Sequence, residues 1–202
     1  TPGANGIVYI QVTRGAEYPR AHLPQTVLEP TVMATASPWE PPEKTPEPVH
    51  VEPFEDIRWL RCDIKSISLL GNIMLKQEAS KQGAFEPLLH RDGRITEGAS
   101  CNYFMVKSGR LYTPPSDQLI LGGITREWIL ELAESAGIEV IEVTFTLEEL
   151  LQADECFLSS STREVQPVGS IGSHSINNGS IGPVTQQLAE LFRSRRPHLV
   201  QV

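Results

Sequence analysis

Cysteine is scarce in this chain. The three present, Cys62, Cys101 and Cys156, are an odd number set far apart with no CxxC pair. That spacing argues against a disulfide scaffold or a zinc site and fits a reducing, cytoplasmic setting. An excess of positive charge is lacking too. Seventeen Lys and Arg against 25 Asp and Glu leave a net charge of -8, so no basic stripe exists to neutralise nucleic-acid phosphates. The one basic cluster, Arg193, Arg195 and Arg196, reads as a solvated helix end, favourable beside the helix dipole. No apolar run is long enough for a membrane helix and no signal-peptide pattern is visible. Tandem repeats are lacking, and no glycine pattern matches a phosphate-binding Walker loop or a dinucleotide fingerprint, so nucleotide binding is unsupported.

Proline, by contrast, is locally dense. Pro38, Pro41, Pro42, Pro46, Pro48 and Pro53 lie within sixteen positions. Proline fixes φ and removes an amide donor, so the stretch 38–53 is expected to be an extended connector between two lobes. Before it, Gly6 to Thr13 and Val27 to Ala34 read as strands flanking a polar loop. After it, Ser68 to Gln82 and Thr125 to Ala136 carry apolar residues at helical spacing, and Gly83 and Gly137 follow them as stops. Strands are expected at 84–89, 102–106, 138–143, 155–159 and 165–171. Ser108-Gly109 marks a hairpin, Thr146 with Glu149 a capping box, and 181–195 a final helix. Strands alternating with single helices and hairpins predict an α+β lobe built on a mixed sheet.

The residue that stands out chemically is Lys65. It lies between an apolar, strand-like run (Ile57, Trp59, Leu60, Ile64) and the first helix. A desolvated amine loses proton affinity and becomes nucleophilic, as a Schiff-base lysine requires; a lysine at a strand end reaching solvent is the plain alternative.

The company Lys65 keeps resembles a known family. Arg58-Trp59-Leu60-Arg61-Cys62-Asp63-Ile64-Lys65-Ser66, followed by Leu69-Leu70-Gly71-Asn72, is similar to the cofactor-lysine segment of the class IV, fold-type IV pyridoxal-phosphate-dependent aminotransferases of D-amino acids. Three further segments follow in the family's order. They are His90-Arg91-Asp92-Gly93 leading to Thr96-Glu97-Gly98-Ala99-Ser100-Cys101-Asn102, then Leu121-Gly122-Gly123-Ile124-Thr125-Arg126, then Ser159-Ser160-Ser161-Thr162-Arg163-Glu164-Val165. Upstream, Val12-Thr13-Arg14-Gly15 and Pro19-Arg20-Ala21-His22 resemble the segment that receives the substrate carboxylate in the D-specific branch.

The resemblance implies a two-lobe architecture with the N-terminal lobe largely missing. Residues 1–37 would be its remnant, 38–53 a proline-rich linker, and 54–202 a complete cofactor-binding lobe. Pyridoxal 5'-phosphate is the implied cofactor. Lys65 would hold it as a Schiff base and move the proton between the substrate α-carbon and the cofactor; Glu97 would pair with the ring nitrogen. Ile124 and Thr125, at a helix start behind two glycines, and Ser160 and Ser161, in a turn after a strand, would take the phosphate. Arg58 is a phosphate or carboxylate neighbour, or simply a salt bridge. Arg20 and His22 would take the substrate's α-carboxylate, a guanidinium being able to bind it bidentately.

The implied reaction moves the amino group of a D-amino acid such as D-alanine to 2-oxoglutarate, giving a 2-oxo acid and D-glutamate. A cytoplasmic homodimer with small-molecule substrates, and neither nucleic acid nor membrane as partner, completes the expectation. A branched-chain L-aminotransferase or an aminodeoxychorismate lyase would keep the cofactor and change the substrate, while an inactive truncated piece would bind it weakly or not at all.

Overall fold

The computed structural model describes residues 5–196, so the outer limits of the expected lobes, 1–4 and 197–202, lie outside the described residues. The chain divides into two compact units with the boundary between Pro41 and Pro42.

The first unit is a hairpin of β1 (Gly6–Thr13) and β2 (Thr31–Pro38), paired antiparallel from Gly6 with Pro38 to Thr13 with Thr31. The second strand therefore sits four residues later than the propensity of Val27 and Leu28 suggests. Pairing with all eight residues of β1 outweighs local β propensity, which is the weaker guide. Arg20 and His22 lie on the exposed segment between these strands.

In the second unit, β3 (Val49–Glu55), β4 (Glu86–Arg91), β5 (Arg94–Ile95), β6 (Asn102–Lys107), β7 (Arg110–Thr113), β8 (Val140–Glu142), β9 (Glu155–Ser160) and β10 (Glu164–Ile171) form one mixed sheet in the order β5-β4-β3-β10-β9-β6-β7-β8. A short β11 (His174–Ser175) pairs with β10. The pairs β3/β4, β3/β10 and β7/β8 are parallel and the others antiparallel.

The expected linker at 38–53 is corrected at its far end only: residues 39–48 carry neither helix nor strand, but Val49 to Pro53 belong to β3, an interior strand. Proline is admitted because of how the strand faces its neighbours. His50 accepts from Phe85 on the β4 side and Val51 from Gly172 on the β10 side. Odd-numbered residues thus turn their backbone toward β10, and the β10 ladder ends at Val51. Pro53 forfeits no ladder bond.

Alternation along the central strands sends side chains into two cores. Tyr103, Met105, Cys156, Leu158 and Val168 point to one face, joined by Phe145 and Leu150. Phe104, Val106, Phe157 and Val165 point to the other and pack against α2 (Ile124–Ser135) and α4 (Pro183–Ser194) through Ile129, Leu132, Ala133 and Leu188. Phe104 and Phe157 stack with ring centres 4.6 Å apart. Because both faces are covered, these strands read as near-continuous apolar runs.

The remaining helices are α1 (Leu70–Lys81), whose Leu75 and Ala79 are buried, and α3 (Leu147–Leu151). Thr146 and Glu149 complete the capping box of α3. Ser108 and Gly109 adopt positive φ between β6 and β7, as the hairpin requires.

Two devices fix α4. The buried Glu155 carboxylate of β9 accepts from Val184 N at 3.0 Å and Thr185 N at 2.7 Å, so an acidic side chain from the sheet caps the helix N-terminus. At the other end the basic cluster is not a free solvated end. Arg193 donates to Thr45 Oγ1, Arg195 to Ser135 Oγ, and Arg196 to Glu164 and to the Pro42 carbonyl.

Candidate active site

A buried set of charges gathers where β3 and β4 end and β6 begins. Asp56 follows β3 directly, and its carboxylate grips Arg58 through Nε to Oδ1 and Nη2 to Oδ2, both at 2.9 Å. Arg58 Nη1 then donates to Glu97 Oε1 at 2.6 Å. The other Glu97 oxygen accepts from Asn102 Nδ2 at 3.2 Å and Leu121 N at 3.1 Å. Asn102 also donates to the Leu121 carbonyl, which ties the loop before α2 to β6. Behind this row, Asp56 Oδ2 accepts from Thr96 Oγ1 and pairs with Arg91 Nη2 at 3.3 Å.

Glu97 is only 5% exposed. Burial pushes its carboxyl up from the ordinary 4.5 to about 7, opposed by the charge and hydrogen bond of Arg58. Asp56 behaves oppositely. Burial works against its charge too, but the hydrogen bonds and charge of Arg58 hold it below its ordinary value. For Arg58, burial is more than offset by Asp56 and Glu97, so the guanidinium is held above its ordinary value. The structure thus uses Arg58 as an ion-pair partner of two carboxylates.

The N-terminus of α2 lies against the same group. Gly123 is its N-cap and no side chain caps the helix, so Ile124 and Thr125 are its first two residues. The amides of Ile124 and Thr125 therefore begin a helix whose positive end is free to meet an anion. A side chain at Gly123 would place Cβ 2.5 Å from Asn102 Oδ1, so glycine permits this approach.

Asn102 is paired across the ladder with Ser159, and both share the face occupied by Phe104 and Phe157. Ser159 is fully buried and its Oγ has no partner. A buried hydroxyl without a partner beside an uncapped helix start is the kind of opening an oxyanion fits. Ser160, one residue on, turns to the opposite face. It borders a cleft of roughly 180 Å³ lined by Lys76, Glu86, Ser100, Cys101 and Arg163. Its Oγ accepts from Arg163 N at the turn, which Ser161 begins.

Lys65 is not on a strand. Residues 57–69 form turns and irregular backbone before α1, and Lys65 is exposed, making no hydrogen bond or ion pair among the described residues. The segment is anchored beside the site by Cys62 N to the Gln118 carbonyl at 2.8 Å and Arg58 Nη2 to the Leu119 carbonyl at 3.4 Å. The described residues leave this side chain exposed, which is the plain alternative of a lysine reaching solvent.

The structure therefore brings Arg58, Glu97 and the Ile124-Thr125 helix start together with Asn102, Ser159 and Asp56. These last three were not singled out from sequence. An Asp-x-Arg step before a Glu-Gly turn was the signal for Asp56, whereas Asn102 and Ser159 carry none beyond alternation on paired strands.

The description of the class IV amino-transferase family matches residues 1–171, and the chain belongs to that family. Among its relatives is the D-alanine aminotransferase of Staphylococcus haemolyticus, 45% identical over 190 residues, covering 93% of this chain and 67% of the relative. That of Bacillus licheniformis is 46% identical over 185 residues, covering 91% and 65%. The chain thus spans about two thirds of the length of these relatives.

Among solved structures, the Escherichia coli branched-chain amino acid aminotransferase superposes with a TM-score of 0.76 at 31% identity, over 87% of this chain and 59% of that one. The T.th. branched-chain amino acid aminotransferase with pyridoxamine 5'-phosphate superposes with a TM-score of 0.84 at 29% identity, over 94% and 67%.

Proposed function

We propose that this chain is the cofactor-binding part of a pyridoxal-phosphate-dependent aminotransferase acting on D-amino acids, with D-alanine and 2-oxoglutarate converted to pyruvate and D-glutamate. The observation that carries this reading is the buried Glu97 carboxyl, held by Arg58, Asn102 and the Leu121 amide beside an uncapped helix N-terminus. That donor and acceptor set fits a pyridine nitrogen at one end and a phosphate at the other. The unpartnered Ser159 hydroxyl lies on the same face and supports the fit.

The bound cofactor supplies an electron sink that stabilises the carbanion left when the α-proton departs. The chain's own groups do the rest. Lys65 is assigned the covalent attachment through its Nζ, and once displaced by the substrate amine, that same nitrogen takes and returns the α-proton. Glu97, as carboxylate, holds the ring-nitrogen proton in place. The amides of Ile124 and Thr125 receive the phosphate, with the Ser159 hydroxyl on the same face and the Ser161 turn as further donors, whereas Ser160 faces the opposite cleft and is not assigned to it. Arg58 acts on the ring end through Glu97. Arg20 and His22 are assigned the substrate α-carboxylate, for which a guanidinium offers two parallel donors.

Two observations bear on substrate and assembly. The D-alanine aminotransferases are 45–46% identical to this chain and the branched-chain structures 29–31%, which favours the D-specific reading over a branched-chain L-specific one. Trp59, Leu60, Ile67, Leu70, Ile73 and Met74 form an exposed apolar run along α1 and the segment before it. A face of this kind supports a homodimer. A cytoplasmic setting is consistent with three unpaired cysteines.

The test is the visible spectrum of the purified chain with pyridoxal phosphate, followed by D-alanine, L-alanine or L-leucine. A cofactor band discharged by D-alanine alone, with pyruvate released, is the expected result. Discharge by L-leucine alone moves the reading to the branched-chain class. No band at all refutes cofactor attachment by this chain.

A further inference from the structure

Asp56 touches neither Glu97 nor any residue assigned to cofactor or substrate other than Arg58, yet it is the most enclosed member of the charge row, its side chain being 0% exposed. Burying a carboxylate that completely is costly unless each oxygen is satisfied. Here both are. Oδ1 accepts from the Arg58 backbone amide at 3.0 Å and from Nε at 2.9 Å, while Oδ2 accepts from Arg58 Nη2 and Thr96 Oγ1 and pairs with Arg91.

The paired contacts to Nε and Nη2 are the planar fork that fixes a guanidinium in one plane. With that edge clamped, one nitrogen remains to face the site. Nη1 reaches Glu97 Oε1 at 2.6 Å, and Glu97's other oxygen is filled by Asn102 and Leu121. Arg91, Asp56, Arg58 and Glu97 alternate in charge along the row, so each group's charge is compensated by its neighbour.

We propose that Asp56 is the positioning residue of the ring-nitrogen site, clamping Arg58 so that Nη1 stays aimed at Glu97. The inference rests on the ring-nitrogen role assigned to Glu97, but its geometric core concerns the cofactor-free protein.

Two effects of Asp56→Asn have opposite signs, and this makes the idea decidable. Removing a negative charge near Glu97 eases its ionisation and lowers its titration midpoint. Releasing Arg58, because the asparagine Nδ2 cannot accept from the guanidinium, takes away the cation that favours the charged form and raises it. The groups acting on Glu97 are Arg58 and Asp56 from the segment after β3, Arg91 from β4 through Asp56, the neutral donors Asn102 and the Leu121 amide, and the buried thiols Cys62 and Cys101, which burial pushes up and so keeps neutral. If Asp56 positions Arg58, release dominates.

The experiment is a carboxyl carbon-13 titration of cofactor-free protein, with Glu97 assigned by Glu97→Gln. Asp56→Asn is expected to raise the Glu97 midpoint by about one pH unit or more, the shift typical of losing an opposite charge at contact distance. An unchanged or lowered midpoint overturns the proposal. Should that variant not fold, the unmodified protein decides. Its Arg58 Nη nitrogens are expected to show two resolved signals from hindered rotation, and one averaged signal overturns the clamp.

The link to the cofactor is tested separately by pyridoxal phosphate dissociation constants. Asp56→Asn is expected to weaken binding about tenfold in the native background and not further in the Glu97→Gln background. An equal loss in both overturns action through Glu97. Glu97→Gln binding as tightly as the native chain overturns the ring-nitrogen assignment, while the titration still decides the clamp.

Discussion

Glu97 makes a quantitative prediction about stability that requires no substrate. Its carboxyl is raised from 4.5 to about 7 by burial, against the pull of Arg58. In the unfolded chain the group loses its proton near the ordinary value, whereas in the folded cofactor-free protein it keeps the proton until about pH 7. Between those values the native state binds the extra proton, so stability falls as pH rises through the window and then levels off. At about 1.4 kcal/mol per pH unit, the whole effect is about 3 kcal/mol.

The assay is urea unfolding of the cofactor-free native chain and of Glu97→Gln at intervals from pH 4 to pH 8.5. Subtracting the variant removes the histidines and other carboxylates common to both. The difference, native minus variant, is expected to shrink by about 3 kcal/mol across pH 4.5 to 7 and to stay flat above it. A difference independent of pH, or one growing with pH, would falsify the reasoning, since it would mean that Arg58 outweighs burial. Asp56 acts in a separate range: its lowered value stabilises above pH 3.8 and is lost only below it.

Lys65→Ala is expected to abolish the visible cofactor band and all amino transfer while changing unfolding free energy by no more than about 0.5 kcal/mol, as for an exposed side chain. A retained band refutes the attachment. Gly123→Ala drives a methyl to 2.5 Å from Asn102 Oδ1. Displacing Asn102 removes a donor from Glu97, so pyridoxal phosphate binding should weaken about tenfold, or about 1.4 kcal/mol, and equal affinity would show that Asn102 does not matter. Glu155→Ala strips the cap from α4 and leaves the Val184 and Thr185 amides unpaired in a buried place. A loss of about 2–3 kcal/mol by urea unfolding is expected, and a change under 0.5 kcal/mol would show that water replaces the carboxylate.

Features governed by near neighbours were legible in the sequence. The Thr146–Glu149 capping box, the Ser108-Gly109 hairpin turn and the glycine that ends α2 each follow from contacts within a few residues, where propensity and backbone sterics decide. The motifs around Arg58, Glu97 and Gly123 were readable as well, because the family resemblance carries them in order.

Tertiary structure alone decided the rest. Arg58 meets Glu97 across 39 positions and Glu155 caps a helix about 30 positions away; no local pattern announces either, since a buried charge is satisfied by whatever the fold brings alongside. The end of the proline-rich stretch, Val49 to Pro53, joined an interior strand, which Pro53 tolerates because the β10 ladder stops at Val51, and the second strand was placed by its pairing with β1. Lys65 came out exposed for the same reason: an apolar neighbourhood in sequence buries a residue only when packing closes over it. Sequence determined the local elements and the chemical inventory, and the long-range pairings determined which of those groups share one site.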